Sequence, residues 1–126
     1  MTRPDESERA VALALAGGRM VIGAAFWLAP ELIRRSLGFA ELDDEGLAIA
    51  RIAGTRDLIL GAWQASAAGD REKLRAASIA VAACDAGDTL AFALLAKSGR
   101  TGPGVRGLGA ALPATVAGAW LARRLA

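Results

Sequence analysis

Two short motifs carry the ionisable chemistry of this chain, and both sit where it is most apolar. The first is Arg51-Ile52-Ala53-Gly54-Thr55-Arg56-Asp57 and the second is Asp85-Ala86-Gly87-Asp88. Arg19 adds a third position, inside the apolar run Ala10 to Ala29. The three arginines and three aspartates sum to zero charge. A charged side chain at mid-membrane depth costs about 2.5–3.5 kcal/mol on insertion scales, so such residues are expected to face a bundle interior, to pair with one another and to mark a functional site. The pattern predicts a membrane-embedded Arg/Asp network.

Helical spacing sets which of these groups can meet. At roughly 100° per residue, Arg51 and Thr55 share a face, whereas Arg56 points about 140° round the helix from Arg51. The two arginines must therefore take different partners. Gly54, Asp57, Gly61 and Gln64 recur on one face, a small-and-polar stripe of the kind that packs closely and hydrogen-bonds across a membrane bundle. Cys84, Asp88 and Ala91 share a face of a later segment, with Asp85 on its edge one turn before Asp88. Two carboxylates that close repel in a low dielectric unless an arginine lies between them or one holds a proton. Such environments give a catalytic acid and base different proton affinities.

The chemistry expected of this set is acid–base work on a small lipophilic substrate, of the type that opens an epoxide, isomerises a carbonyl compound or closes a ring. Asp57 and Asp88 are the expected proton-handling pair, one taking a proton and the other orienting or donating one, with Asp85 a further catalytic candidate and Arg56 the electrophile or orienter. Arg19, Arg51, Thr55 and Gln64 are expected against the substrate. A second reading is a proton-coupled small-molecule transporter or binding protein, able to form a homodimer, in which protonation of Asp85 or Asp88 drives release. A neutralised cavity is a poor electrostatic match for a cationic drug. A third is a structural membrane subunit without ligand, whose buried Arg/Asp pairs only hold helices in register.

Composition narrows the field further. In 126 residues there is no His, no Tyr and a single Cys, while 54% are hydrophobic. These counts disfavour most metal, haem and Cys/His catalytic sites, so neither metal nor cofactor is expected, and Cys84 reads as a small packing residue. Net charge is +2, from scattered arginines without a basic stripe or interleaved aromatics, which argues against nucleic-acid binding. Mean hydropathy is +0.36.

Four apolar stretches must position the charges, at about residues 10–29, 47–67, 71–96 and 105–122, making residues 1–126 one domain. Pro30 stops the first, and an amphipathic piece, Glu31 to Leu37, follows it before Gly38 and the acidic link Glu41, Asp43, Asp44 and Glu45. Gly69 and Asp70 break and cap ahead of the third, and Lys97 to Pro103 has loop composition. Pro113 lies inside the fourth, where a membrane helix tolerates it. Trp27, Trp63 and Trp120 fall near helix ends, at interfacial depth. The expected fold is all-α: a four-helix transmembrane bundle with a short amphipathic helix after the first span, in contact with membrane lipid. The small excess of Lys and Arg on the terminal side places both termini in the cytoplasm, across a bacterial inner membrane. The polar start, Met1 to Arg9, lacks the pattern of a cleaved leader.

The order of pieces, with "RIAGTRDLILG", "GDREKLRAAS" and "CDAGDTLAFAL" as its most distinctive parts, resembles a family of small, uncharacterised four-helix integral membrane proteins of high-GC bacteria. The likeness covers about Ala10 to Leu121. Its Arg-x-x-Gly-x-Arg-Asp and Asp-x-x-Asp pieces fall on Arg51, Gly54, Arg56, Asp57, Asp85 and Asp88. What the resemblance implies is the fold and the place of the site, not an activity.

Overall fold

Asp5 starts the first helix. Its side chain accepts from the Glu8 N–H at 2.7 Å while Glu8 accepts from the Asp5 N–H at 2.9 Å, a reciprocal cap that satisfies two donors left free by the helix. In this computed structural model, which describes residues 2–126, α1 therefore runs Glu6–Leu28 and begins earlier than the apolar pattern alone predicts. Pro30 both ends α1 and opens α2 (Pro30–Leu37), because its missing N–H falls among donors that have no helical partner anyway. Gly38 closes α2 in the left-handed region, at φ 73°, which only glycine adopts without strain.

Local capping also places the later helices. Asp43 accepts from the Gly46 N–H at 2.7 Å and caps α3 (Asp44–Ser66). Asp44 and Glu45, expected in a link, thus occupy the first turn, where carboxylates complement the helix dipole. Asp70 accepts from the Glu72 and Lys73 N–H groups, both at 3.1 Å, and caps α4 (Arg71–Lys97). α5 (Thr101–Arg124) takes in Gly102 and Pro103, which were expected in a loop; Pro103 is tolerated because it falls in the first turn.

The expected four-span bundle is not what the structure holds. Among the described residues there are five helices, and three of them, α1, α4 and α5, are long and apolar enough to cross a membrane. α3 fails by composition, since any 18-residue stretch of it includes Arg51, Arg56 and Asp57. α2, at 8 residues, is far too short to cross.

Glycines set how the helices pair. α1 packs most extensively on α3, and α4 on α5, each pair antiparallel. A Cβ built on Gly54 would lie 2.7 Å from both the Gly23 carbonyl oxygen and the Phe26 Cβ, so the two backbones meet only because neither glycine carries a side chain. In the other pair the Phe92 ring fills the space over Gly107. The two pairs meet more sparingly, about equally between α3 and α4 and between α1 and α5. Their shared apolar core is small and lies near the chain termini, where Ala12, Ala67, Leu74, Ala77, Leu121 and Leu125 pack together.

Polarity is arranged inside out. Gln64 and Ser78 are fully buried and Asp57 and Asp85 nearly so, while Ile52, Val21 and Leu28 project outward. In water that distribution would leave large apolar patches unsatisfied; in hydrocarbon the outward side chains are solvated and interior polar groups must find each other. Together with the three apolar helices it marks a membrane-embedded protein.

Candidate functional site: a five-member Arg/Asp network

Three helices each contribute charge to one cluster. α1 supplies Arg19, α3 supplies Arg56 and Asp57, and α4 supplies Asp85 and Asp88. Arg19 donates from Nη1 to Asp57 Oδ1 at 3.0 Å and from Nη2 to both oxygens of Asp85 at 2.5 Å. Arg56 grips Asp88 with a two-pronged fork, Nη1 to Oδ1 at 2.9 Å and Nη2 to Oδ2 at 2.7 Å, the geometry that makes guanidinium–carboxylate pairs strong. Its Nε and Nη2 also donate to Asp57 Oδ1 at 3.3 and 3.2 Å. The order of contacts is Asp85, Arg19, Asp57, Arg56, Asp88, alternating in sign throughout.

This arrangement resolves the repulsion expected between Asp85 and Asp88. The two carboxylates do not share one arginine. Each takes its own, and Asp57 bridges the two guanidinium groups. With every member ionised, three carboxylates face two guanidiniums, which leaves one negative charge in excess. The cluster is also graded in depth. Side-chain exposure is 9% for Arg19, 10% for Asp57 and 7% for Asp85, but 37% for Arg56 and 33% for Asp88. One end is sealed and the other open.

The remaining expected site residues lie outside this cluster. Arg51 points away from Arg56, as the helical angle requires, and its guanidinium stacks on the Trp27 ring at 5.4 Å, while its Nε is buried without a hydrogen-bond partner. Thr55 accepts from the Trp27 indole N–H at 3.0 Å and donates to the Arg51 carbonyl. Gln64, fully buried, donates to Ser78 Oγ at 3.2 Å and leaves its own carbonyl oxygen unpaired. Cys84 is half-buried and free. α5 adds no charge here and touches α4 through a Thr89–Thr115 hydroxyl contact at 3.1 Å. Among the described residues, no three His, Cys, Asp or Glu side chains come together as a metal site.

A second buried ion pair escaped the sequence reading. Glu8, 4% exposed at its side chain, accepts from Arg71 Nη1 at 2.7 Å, and Arg71 Nη2 donates to the Arg124 carbonyl at 2.6 Å. One guanidinium thereby ties the start of α1 to the start of α4 and the end of α5. The signal was present: Arg71, Ser78 and Asp85 recur every seven residues, which returns them to one face of α4. No family model matches the chain, and no curated protein or solved structure matches it either.

Proposed function

We propose that this protein is a small membrane-embedded protein whose Arg/Asp network exchanges one proton in acid–base chemistry on a small lipophilic molecule, at the Arg56–Asp88 end. The observation that carries the reading is the odd count: three carboxylates share two guanidiniums in a largely buried cluster, so a single proton makes the cluster neutral. Neutrality is strongly favoured in a low dielectric. The half-exposed Asp88 is the member a substrate can reach, and Arg56 beside it donates to an epoxide or carbonyl oxygen as negative charge develops there. Arg19, Asp57 and Asp85 form the sealed end and hold Arg56 in register. Under this reading the network sits within the membrane, among the apolar helices that carry Arg19, Asp85 and Asp88.

The test is turnover of a panel of lipophilic epoxides and β,γ-unsaturated ketones by membranes containing the wild-type protein or Asp88→Asn. Turnover by the wild type that the variant loses, with folding retained, supports the proposal. Equal turnover by both removes Asp88 from the chemistry.

A purely structural network is the second reading. It is favoured by the complete pairing of all three aspartates, which ties the α1–α3 pair to α4 across otherwise sparse contacts. Under it, Asp88→Asn affects stability alone.

A further inference from the structure

The outer face of α5 near the chain terminus carries a furrow that the network does not use. Val116, Ala119 and Trp120 form its apolar wall, and Arg123 and Arg124 stand at its end. Trp120 is about half exposed, and the Arg124 guanidinium lies 5.6 Å from the centre of its ring. Neither arginine forms an ion pair among the described residues, although Arg124 lies close enough to Asp5 for its charge to help lower that carboxyl. The backbone beneath is held in place, because Arg71 donates to the Arg124 carbonyl at 2.6 Å. Apolar wall, interfacial indole and two arginines outside any ion pair follow one another along a single helix face, in the order of an acyl chain, a glycerol region and a phosphate.

We propose that this furrow binds an anionic phospholipid, with one acyl chain along Val116 and Ala119 and the headgroup phosphate between Arg123 and Arg124. Charge complementarity selects that occupant. Residues 2–9, 69–75 and 122–126 share this end of the molecule and hold seven basic against five acidic side chains, whereas residues 29–45 and 97–106 at the opposite end hold five of each. The excess lies where an anionic leaflet attracts Lys and Arg. A zwitterionic lipid offers the same chain but a neutral headgroup, so it forfeits the arginine contacts.

Fluorescence in reconstituted vesicles tests this directly. With Trp27→Phe and Trp63→Phe in place, Trp120 is the sole emitter, and lipids brominated on their chains quench it on contact. Brominated phosphatidylglycerol is expected to outcompete brominated phosphatidylcholine at Trp120 by about fivefold or more, from the attraction of surface arginines to anionic lipid. Arg123→Gln with Arg124→Gln is expected to bring the ratio to about one. Equal quenching by the two lipids in the parent protein overturns the proposal, as does loss of the preference on adding inorganic phosphate alone, which would assign the arginines to a free anion. Should the double Phe variant not reconstitute, mass spectrometry of the otherwise wild-type protein released from mixed micelles gives the same answer. One retained phosphatidylglycerol, lost in the Arg123→Gln/Arg124→Gln protein, supports the site; retention of phosphatidylcholine to the same extent overturns it.

Discussion

Arg56 and Asp88 face each other fork to fork, with both terminal nitrogens of the guanidinium on the two carboxylate oxygens at 2.9 and 2.7 Å. A lysine at position 56 offers one point charge in place of a planar fork. It can reach Asp88 or Asp57 but not hold both in the same geometry. Arg56→Lys is therefore expected to keep the protein folded and to reduce any activity that depends on Asp88 by tenfold or more, an effect of about 1.4 kcal/mol on the barrier. Rates from Arg56→Lys membranes that equal the wild type would show that the fork is dispensable.

Asp57 is the hinge of the charge pattern, because it touches both arginines and is 10% exposed. Replacing it with Leu leaves two guanidiniums in a buried site with one carboxylate each and no bridge. The expected loss is about 3–5 kcal/mol, the usual consequence of removing one partner from a buried ion pair. Denaturant unfolding in detergent micelles measures it. Adding Arg19→Met to Asp57→Leu should deepen the loss and not recover it, since it also strips the buried Asp85 of its arginine, though by less than the two single losses summed because the two side chains are in contact.

Two glycines of α5 should respond oppositely to a methyl group. Gly107 lies under the Phe92 ring, so Gly107→Ala forces ring and helix apart and should cost about 1–3 kcal/mol. Gly109 has open space where a Cβ would go, and Gly109→Ala should stabilise α5 by about 0.5–1 kcal/mol through reduced backbone freedom. Thermal unfolding of the two variants side by side separates them. A melting temperature lowered equally by both would contradict the packing of α4 on α5.

Glu31 gives a prediction in pH. The hydrogen bond from Arg34, with Arg35 adding to it, lowers its carboxyl from the usual 4.5 to about 2. A group whose folded value is depressed stabilises fully above its unfolded value and loses that contribution as pH falls through the folded one. The support Glu31 gives α2 is therefore complete above about pH 4.5 and gone below about pH 2. A carbon-13 titration of the Glu31 carboxyl should show a midpoint near 2, moving up towards 4.5 in Arg34→Gln. An unchanged midpoint in that variant would show that Arg34 is not the cause.

The parts of this molecule that were legible in the sequence are those fixed by angle along one helix. The divergence of Arg51 from Arg56 follows from 3.6 residues per turn, and so does the shared face of Gly54, Asp57, Gly61 and Gln64, all four of which are buried. What the sequence does not carry is which helix lies opposite. The choice of Trp27 as the platform for Arg51, and of Asp85 rather than Asp88 for Arg19, depends on how α1, α3 and α4 are shifted along one another. The start of α1 was readable but missed, since Asp5-x-x-Glu8 is a capping box in plain sight. The span count went wrong at α3 because an apolar outward face, with Ile49, Ile52 and Ile59, does not outweigh Arg51, Arg56 and Asp57, which fall in every 18-residue stretch of it.

The division into two closely packed helix pairs has a consequence for how the chain recognises itself. Between their polar ends, α1 and α3 carry Arg19, Arg51, Arg56 and Asp57, while α4 carries Asp85 and Asp88 and the interior of α5 carries no charge. Arg51 lies off to one side on Trp27, so where the two halves face each other the first is singly positive and the second doubly negative. Each half is the counter-ion of the other. The folded chain is in that sense a heterodimer of opposite electrolytes joined by the short Ala67–Asp70 turn, and it would be the match of charge, more than any grease between them, that tells one half where the other belongs.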